Sequence, residues 1–283
     1  MGQAEVTQAE TTQDTAKSVT QTSVYLLGIG ALGPGFGDWS ALRAILRGEQ
    51  DWSRAVTQIP VPQVLPAAER RRVGVVVKVA LSVGLEAAQH ADRDPALLAS
   101  VFSASNAEGE NCHALCDALA GEDRFISPTR FHNSVHNASS GYWSIATSCL
   151  AQSTSLCAFD ASFSAGLLEA AMQVVINAED CLLVVHDSTY PHPLGSVRPM
   201  LDNMGIALVL SAQPATNVLA RLDLSLHEGT ATTAPTIELA ALQAGMPSGR
   251  ALPLLHAIAN GLQTSVDIEY LSPLNLRIGV NPC

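Results

Sequence analysis

Two continuously apolar segments, 181–185 and 206–210, place the strongest constraint on how this chain can fold. Short runs in which every residue is apolar are typical of strands buried on both faces, as in parallel sheets covered by helices. Further strands are predicted at 24–28 and 98–103, and segments with helical spacing separate them. This alternation predicts an α/β fold with one sheet covered on both faces.

The remaining predicted elements follow from the same periodicities. Apolar residues at helical spacing predict helices, and short apolar runs in the last third predict two more strands. The predicted helices are 39–46, 73–89, 111–119, 140–150, 237–243 and 252–262, and the additional strands are 219–226 and 275–278.

The length is enough for one large domain or two small ones, and we expect a single domain at 23–283. The chain has 283 residues, and residues 1–22 are rich in Gln, Thr, Ala and Glu, which predicts a disordered N-terminal tail rather than a signal peptide. The sequence contains no run of eighteen apolar residues, so we expect no transmembrane helix. The six cysteines lack the spacing of a disulfide framework, which predicts reduced thiols and a cytoplasmic location.

The charge balance excludes one class of partner and favours another. The net charge of −11 argues against nucleic-acid binding, because phosphate contacts require clustered Lys and Arg. Only 14% of the residues are charged while 47% are hydrophobic. We therefore expect part of the apolar surface to be covered by a protein partner.

The segment from Gly28 to Gly33 matches the GxGxxG pattern of dinucleotide-binding folds. Its context does not fit, because Pro34 follows directly, no helix is predicted to begin there and no suitably placed acidic residue follows. We interpret the motif as a structural glycine turn and expect no cofactor.

Two groups of possible metal ligands are incomplete. His132 and His136 are four residues apart, but no third ligand is evident. Cys112 and Cys116, with His113 between them, have no matching second pair. We therefore expect no metal site.

Residues 153–168 predict a strand, a sharp turn and an amphipathic helix, with Asp160 at the turn. Acyl-transfer enzymes often place a nucleophilic thiol at such a helix N-terminus. A carboxylate that attacked a thioester would form a mixed anhydride of higher energy, so Asp160 is not expected to carry an acyl group. As an Asp directly before a helix, it is expected to cap the helix.

Five segments, taken in their order along the chain, resemble the β-ketoacyl synthase family. They are 24–33, 39–48, 127–147, 155–169 and 202–209. The resemblance covers about residues 24–212, and Asp160 stands at the family's cysteine position. It implies a thiolase-like layered α/β/α fold whose second half is reduced relative to a full ketosynthase.

The family's two catalytic histidines, in a His-Gly-Thr and a His-Asn motif, have no counterpart here. The chain is most similar to the short, chain-length-factor-like subunits of aryl-polyene pathways. That resemblance implies a non-catalytic subunit that pairs with an active ketosynthase and shapes its acyl tunnel, with an acyl carrier protein delivering the substrate.

The same resemblance implies which residues form the dimer seam and approach the partner's pocket. They are Thr129, Phe131, His132, His136, Tyr142, Trp143, Thr154, Ser155, Leu156, Cys157, Phe159 and Phe163.

Two other hypotheses remain open at the level of sequence. Cys157 lies three residues before Asp160 and could be a displaced nucleophile of an active acyltransferase or condensing enzyme, although a buried strand thiol is the simpler interpretation. The chain could also be a homodimeric lipid-binding protein with no synthase partner.

Overall fold

The computed structural model describes residues 21–106 and 108–283. The predicted tail, 1–22, lies outside the described residues except for its last two positions, and Thr22 already begins the first strand. One mixed sheet has the strand order β3-β2-β4-β5-β1-β6-β8-β7. Its strands are β1 (Thr22–Leu32), β2 (Ala99–Ser103), β3 (Ser153–Leu156), β4 (Cys181–Asp187), β5 (Met204–Ser211), β6 (Ala220–Glu228), β7 (Thr264–Glu269) and β8 (Leu274–Pro282).

Helices connect and cover these strands. They are α1 (Trp39–Leu46), α2 (Ala67–Arg70), α3 (Val75–His90), α4 (Gly109–Ala120), α5 (Pro128–Asn133), α6 (Ala138–Thr147), α7 (Ser162–Asn177), α8 (Leu194–Val197), α9 (Ile237–Gly245) and α10 (Leu252–Ala259). Two 3₁₀ turns, Phe159–Ala161 and Ser248–Ala251, precede α7 and α10.

The sheet lies between two helical layers, which confirms the predicted α/β/α arrangement. Helices α3 and α6 pack on one face, and α1, α7, α9 and α10 pack on the other. Every residue of β4 and β5 is buried, as their continuously apolar sequences require. β1 to β4 run in one direction, and β5 runs antiparallel between β4 and β1.

The first strand is longer than predicted, and of the three motif glycines only Gly33 lies at a turn, which it closes with Phe36. β1 continues through Gly28 and Gly30 to Leu32. A Cβ on Gly30 would overlap the carbonyl oxygen of Val83 in α3, and one on Gly28 would overlap that of Ala87. The two glycines therefore let the backbone of α3 lie directly against the sheet.

Gly30→Ala is expected to lower the free energy of unfolding by about 1–3 kcal/mol, because α3 must move to admit the methyl group. Gly37→Ala is the matched control, since no atom lies within 4 Å of a Cβ there. Chemical denaturation of both variants measures the difference. Equal stability of the two variants would contradict this explanation of the motif.

The last third of the chain extends the same sheet beyond β1. β6, β8 and β7 pair antiparallel in that order, and α10 packs against them. β7 was not predicted, although Val266 and Ile268 alternate with polar residues as in a strand with one buried face. Residues after Ala212 therefore complete the sheet rather than form a separate unit.

Within the described residues, one helical stretch, Phe159–Asn177, is long and apolar enough to cross a membrane by length and composition. Its buried side chains, among them Phe163 and Leu167, pack against the sheet. A core helix of this kind passes the same test, so the stretch is weak evidence for a membrane span.

Candidate functional site

The candidate site lies where the parallel strands β2, β3 and β4 end together. β3 ends at Leu156, and residues 157–161 turn sharply into α7. Ligand sites in α/β proteins concentrate at the carboxyl ends of such strands. We refer to residues 157–161 as the elbow.

The carboxylate of Asp160 pairs with Arg198 and does not cap α7. Asp160 Oδ1 lies 2.7 Å from an Nη atom of Arg198. The N-cap residue of α7 is Ala161, which makes no side-chain cap bond. The predicted capping role is therefore wrong, because a cation from a distant loop satisfies the carboxylate instead.

The residue before Asp160 has an unusual backbone conformation. Phe159 has φ = 54°, in the left-handed region that large side chains rarely adopt. The hydroxyl of Ser162 closes the turn: it donates to the Phe159 carbonyl and accepts from the Ala158 amide, at 2.8 and 3.1 Å. The guanidinium carbon of Arg198 lies 3.5 Å from the centre of the Phe159 ring, in cation–π geometry.

Cys157 is an exposed thiol with little tendency to ionise. Partial burial, and then the charge of Asp187, raise the pKa of the Cys157 thiol above its ordinary value. The expectation of a buried thiol is wrong, because Cys157 lies just beyond the end of β3. Since the thiolate is the reactive form, the raised pKa disfavours Cys157 as a nucleophile.

His186 and Asp187, at the end of β4, are both buried. The carboxylate of Asp187 accepts hydrogen bonds from the backbone N–H groups of Ser105, at 3.0 Å, and Ser248, at 2.7 Å. It therefore links two loops to the end of β4. Burial raises the pKa of Asp187 and lowers that of His186 to about 4. His186 is therefore uncharged at neutral pH.

An apolar cleft of about 590 Å³ lies along α5 and α6. Phe131, Val135 and Ile145 line it and are 63%, 46% and 48% exposed. His132 also lines it, and the buried ring of Tyr142 forms part of its wall. Phe131, His132 and Tyr142, which are among the residues predicted to approach the partner's pocket, thus surround one cavity.

The predicted seam and pocket residues fall into three groups. Six are exposed, three in β3 are half-buried and three are buried. The exposed residues are Thr129, Phe131, His132, His136, Cys157 and Phe159, the half-buried ones are Thr154, Ser155 and Leu156, and the buried ones are Tyr142, Trp143 and Phe163.

Trp143 and Phe163 do not reach the surface, so neither side chain is exposed for contact with a partner. They are 1% and 0% exposed and pack on opposite faces of the sheet. Their large apolar side chains complete the core of this chain, which accounts for their presence. Tyr142 is also buried, and its hydroxyl donates to Asn133 Oδ1 at 3.0 Å.

No group of three His, Cys, Asp or Glu side chains in the described ranges could hold a metal ion. His132 lies in α5, and His136 lies beyond its end, so the four-residue spacing does not place both on one helix. All six cysteines are free.

A comparison with known protein families shows to which family this chain belongs. Residues 44–267 match the family described as β-ketoacyl synthase, N-terminal domain. The chain belongs to the β-ketoacyl synthase family. No curated protein sequence matches it significantly.

Solved structures support the same fold for this ketosynthase-family chain. One chain from the structure of a ketosynthase (ApeO) in complex with its chain length factor (ApeC), from Xenorhabdus doucetiae, is 24% identical, with a TM-score of 0.67. The match covers 91% of this chain and 99% of that one. At this identity the likeness establishes the thiolase-like fold.

Two further structures have the same architecture. The ishigamide ketosynthase/chain length factor has a TM-score of 0.70 at 13% identity and covers 92% of this chain and 99% of its own. The AntDE:AntF complex, a type II polyketide synthase acyl-carrier protein with its ketosynthase bound to the hexaketide, has a TM-score of 0.71 at 10% identity. It covers 93% of this chain and 100% of the matched chain.

Within this ketosynthase fold, sequence reasoning missed the residues that surround Asp160. Arg198 follows α8, and Tyr190 lies in the loop after β4, where its hydroxyl is 3.3 Å from Arg198 Nε. No local periodicity marks either residue. A lone Arg in an otherwise weakly charged loop was the one available signal.

Proposed function

We propose that this chain is a non-catalytic β-ketoacyl synthase-like subunit, a chain length factor of the aryl-polyene type. It pairs with an active ketosynthase in the cytoplasm and shapes the partner's acyl tunnel, while an acyl carrier protein delivers the substrate. The observation that carries the proposal is the elbow, where the Asp160 carboxylate is paired with Arg198 at 2.7 Å.

The chemistry of the elbow argues against covalent acyl transfer by this chain. Asp160 would have to give up its ion pair before attacking a thioester, and the product would be a mixed anhydride. Cys157 is a poor substitute because its thiol pKa is raised. His186 is buried and uncharged, so it supplies no positive charge to stabilise a thiolate.

The surface next to the elbow supports association with a partner. Among the described residues, β3 is the last strand of the sheet on its side, so one row of its backbone groups has no strand partner there. Strand edges of this kind pair readily with a second chain. Phe131, Ile145 and Phe159 add exposed apolar area around α5, α6 and the elbow.

The descriptions of the matched structures support a ketosynthase as the proposed partner. The structure from Xenorhabdus doucetiae is described as a ketosynthase with its chain length factor, and a second match is described as a ketosynthase/chain length factor. A third contains an acyl-carrier protein with its ketosynthase. These descriptions favour a ketosynthase as the partner and a carrier protein as the donor.

Tunnel shaping requires no chemistry in this subunit. If the cleft along α5 and α6 faces the partner's pocket, Phe131 and Ile145 would limit the space for a growing chain. Forcing an added methylene into a packed wall costs about 1–3 kcal/mol. That cost suffices to set a product length.

The proposal predicts that the chain is inactive alone and forms a stable complex with the ketosynthase encoded beside it. The two proteins are co-expressed with a tag on one of them, and size-exclusion chromatography with mass measurement gives the stoichiometry. A 1:1 complex is expected to extend carrier-bound acyl groups, and the lone chain is expected to show no condensation.

Two outcomes would contradict the proposal. Condensation by the lone chain, abolished by Cys157→Ser, would identify an active enzyme. A stable homodimer that does not bind the ketosynthase and that retains lipid would favour the hypothesis of a lipid-binding protein. Cys283→Ser is the control for the thiol substitution, since Cys283 is also an exposed thiol and lies at the C-terminus.

A further inference from the structure

The elbow contains an aromatic residue, Phe159, that is both strained and exposed. Phe159 is 59% exposed and has φ = 54°. The left-handed conformation costs roughly 1–2 kcal/mol for a residue with a Cβ. The strain does not help this chain to fold, and strained residues that persist cluster at functional sites.

The surrounding residues hold that ring in one place. The guanidinium of Arg198 covers one face of the ring at 3.5 Å from its centre. The side chain of Arg198 is 19% exposed and is fixed by two partners, Asp160 at 2.7 Å and Tyr190 at 3.3 Å. Because Arg198 is anchored from two sides, the Phe159 ring is ordered before any partner arrives.

We propose that Asp160 and Arg198 are positioning residues that hold the Phe159 ring as an anchor for the ketosynthase partner. This inference rests on the proposed function. It assigns a role to the carboxylate of Asp160, which stands where the resemblance places the family's thiol. Asp160 keeps Arg198 in place, and Arg198 keeps the ring in place.

The position of Phe159 makes the partner the natural occupant of its free side. The residue lies three positions beyond the end of β3, the strand with the open edge. β3 borders α6, where Ser155 and Ser140 place their hydroxyl oxygens 3.4 Å apart. Phe159 thus closely follows the strand through whose open edge we expect the two subunits to associate.

A preordered aromatic ring is well suited to such a role. Aromatic side chains at the centre of an interface contribute most of the binding energy in many complexes. An ordered ring loses little rotational freedom on binding, so less of the interaction energy is spent on ordering. The complementary feature on the ketosynthase is an apolar pocket that receives the uncovered part of the ring.

The variant Phe159→Gly tests the anchor role of the ring separately from its effect on folding. Glycine relieves the left-handed strain, while loss of the cation–π contact removes a stabilisation of similar size, so the melting temperature should change little. The dissociation constant for the purified ketosynthase, measured by calorimetry or biolayer interferometry, is expected to rise about 30-fold or more. Phe125→Gly is the control, since Phe125 is 84% exposed and lies outside the elbow.

The positioning role has its own signature. Arg198→Met is expected to raise the dissociation constant about fivefold or more, and Asp160→Asn should have a smaller effect in the same direction. In the double variant, Arg198→Met should raise the dissociation constant little beyond the increase caused by Phe159→Gly, because Arg198 acts through the ring. Arg93→Met breaks the Arg93–Asp180 pair of 2.6 Å at the opposite end of the sheet and should leave binding unchanged.

The outcomes distinguish this inference from the proposed function. Tight binding by wild type and equally tight binding by Phe159→Gly would overturn the anchor while leaving the proposed function intact. Full additivity of Arg198→Met and Phe159→Gly would overturn the positioning role. Failure of the wild-type chain to bind any ketosynthase would overturn both proposals.

Discussion

Asp160→Cys is expected to create a thiol that is alkylated at least about tenfold faster than Cys157 at pH 7. The new thiol would lie beside Arg198, which now pairs with Asp160 at 2.7 Å. A neighbouring cation lowers a thiol pKa and increases the fraction of reactive thiolate. Cys157 provides the internal comparison, because its pKa is raised. Iodoacetamide labelling with peptide mapping measures both rates in one sample.

The double variant Asp160→Cys with Arg198→Met is the matched control. It keeps the thiol and removes the cation, so the rate advantage should largely disappear. Neither variant is expected to condense acyl groups alone, since a ketosynthase also needs its catalytic histidines. Equal alkylation rates in the single and double variants would show that Arg198 does not control the electrostatics of the elbow.

Glu108→Gln is expected to stabilise the chain by about 3 kcal/mol at pH 8 and to have little effect at pH 4. Glu108 is 4% exposed, and burial raises its pKa from 4.5 to about 7. A raised carboxyl pKa means that folding favours the protonated form. The contribution of this group to stability is therefore complete below about pH 4.5 and is lost as the pH rises through about 7.

The size of this effect follows from the shift, since one pKa unit corresponds to about 1.4 kcal/mol. Chemical denaturation of wild type and variant between pH 4 and pH 8 gives the difference in unfolding free energy, in which the other titrating groups cancel. Glu122→Gln, at an exposed position beyond the end of α4, is expected to show no such trend. A difference that does not change with pH would contradict the assigned ionisation of Glu108.

Much of the fold could be predicted from short-range patterns. The predicted helix 39–46 coincides with α1, and the apolar segments 181–185 and 206–210 became the fully buried β4 and β5. Such patterns are informative because a strand covered on both faces tolerates few polar residues. The glycines of β1 were misinterpreted, since their role depends on how closely α3 approaches them.

The candidate site could be predicted in part. The position of Asp160 at a turn before a buried helix was evident from the local pattern, and the structure places it there. Its partner could not be predicted, because Arg198 is 38 residues away in sequence. The burial of Trp143 and Phe163 also depends on which helix faces the sheet, which the residue types alone leave open.

The amino-acid order was sufficient for the alternation of strands and helices and for the presence of a carboxylate at the turn before a buried helix. Periodicity and side-chain chemistry are properties of neighbouring residues, and they are readable before the chain folds. The ion pair of Asp160, the left-handed conformation of Phe159 and the open edge of β3 were evident only in three dimensions. They arise because folding brings together strand ends and loops that are far apart along the chain.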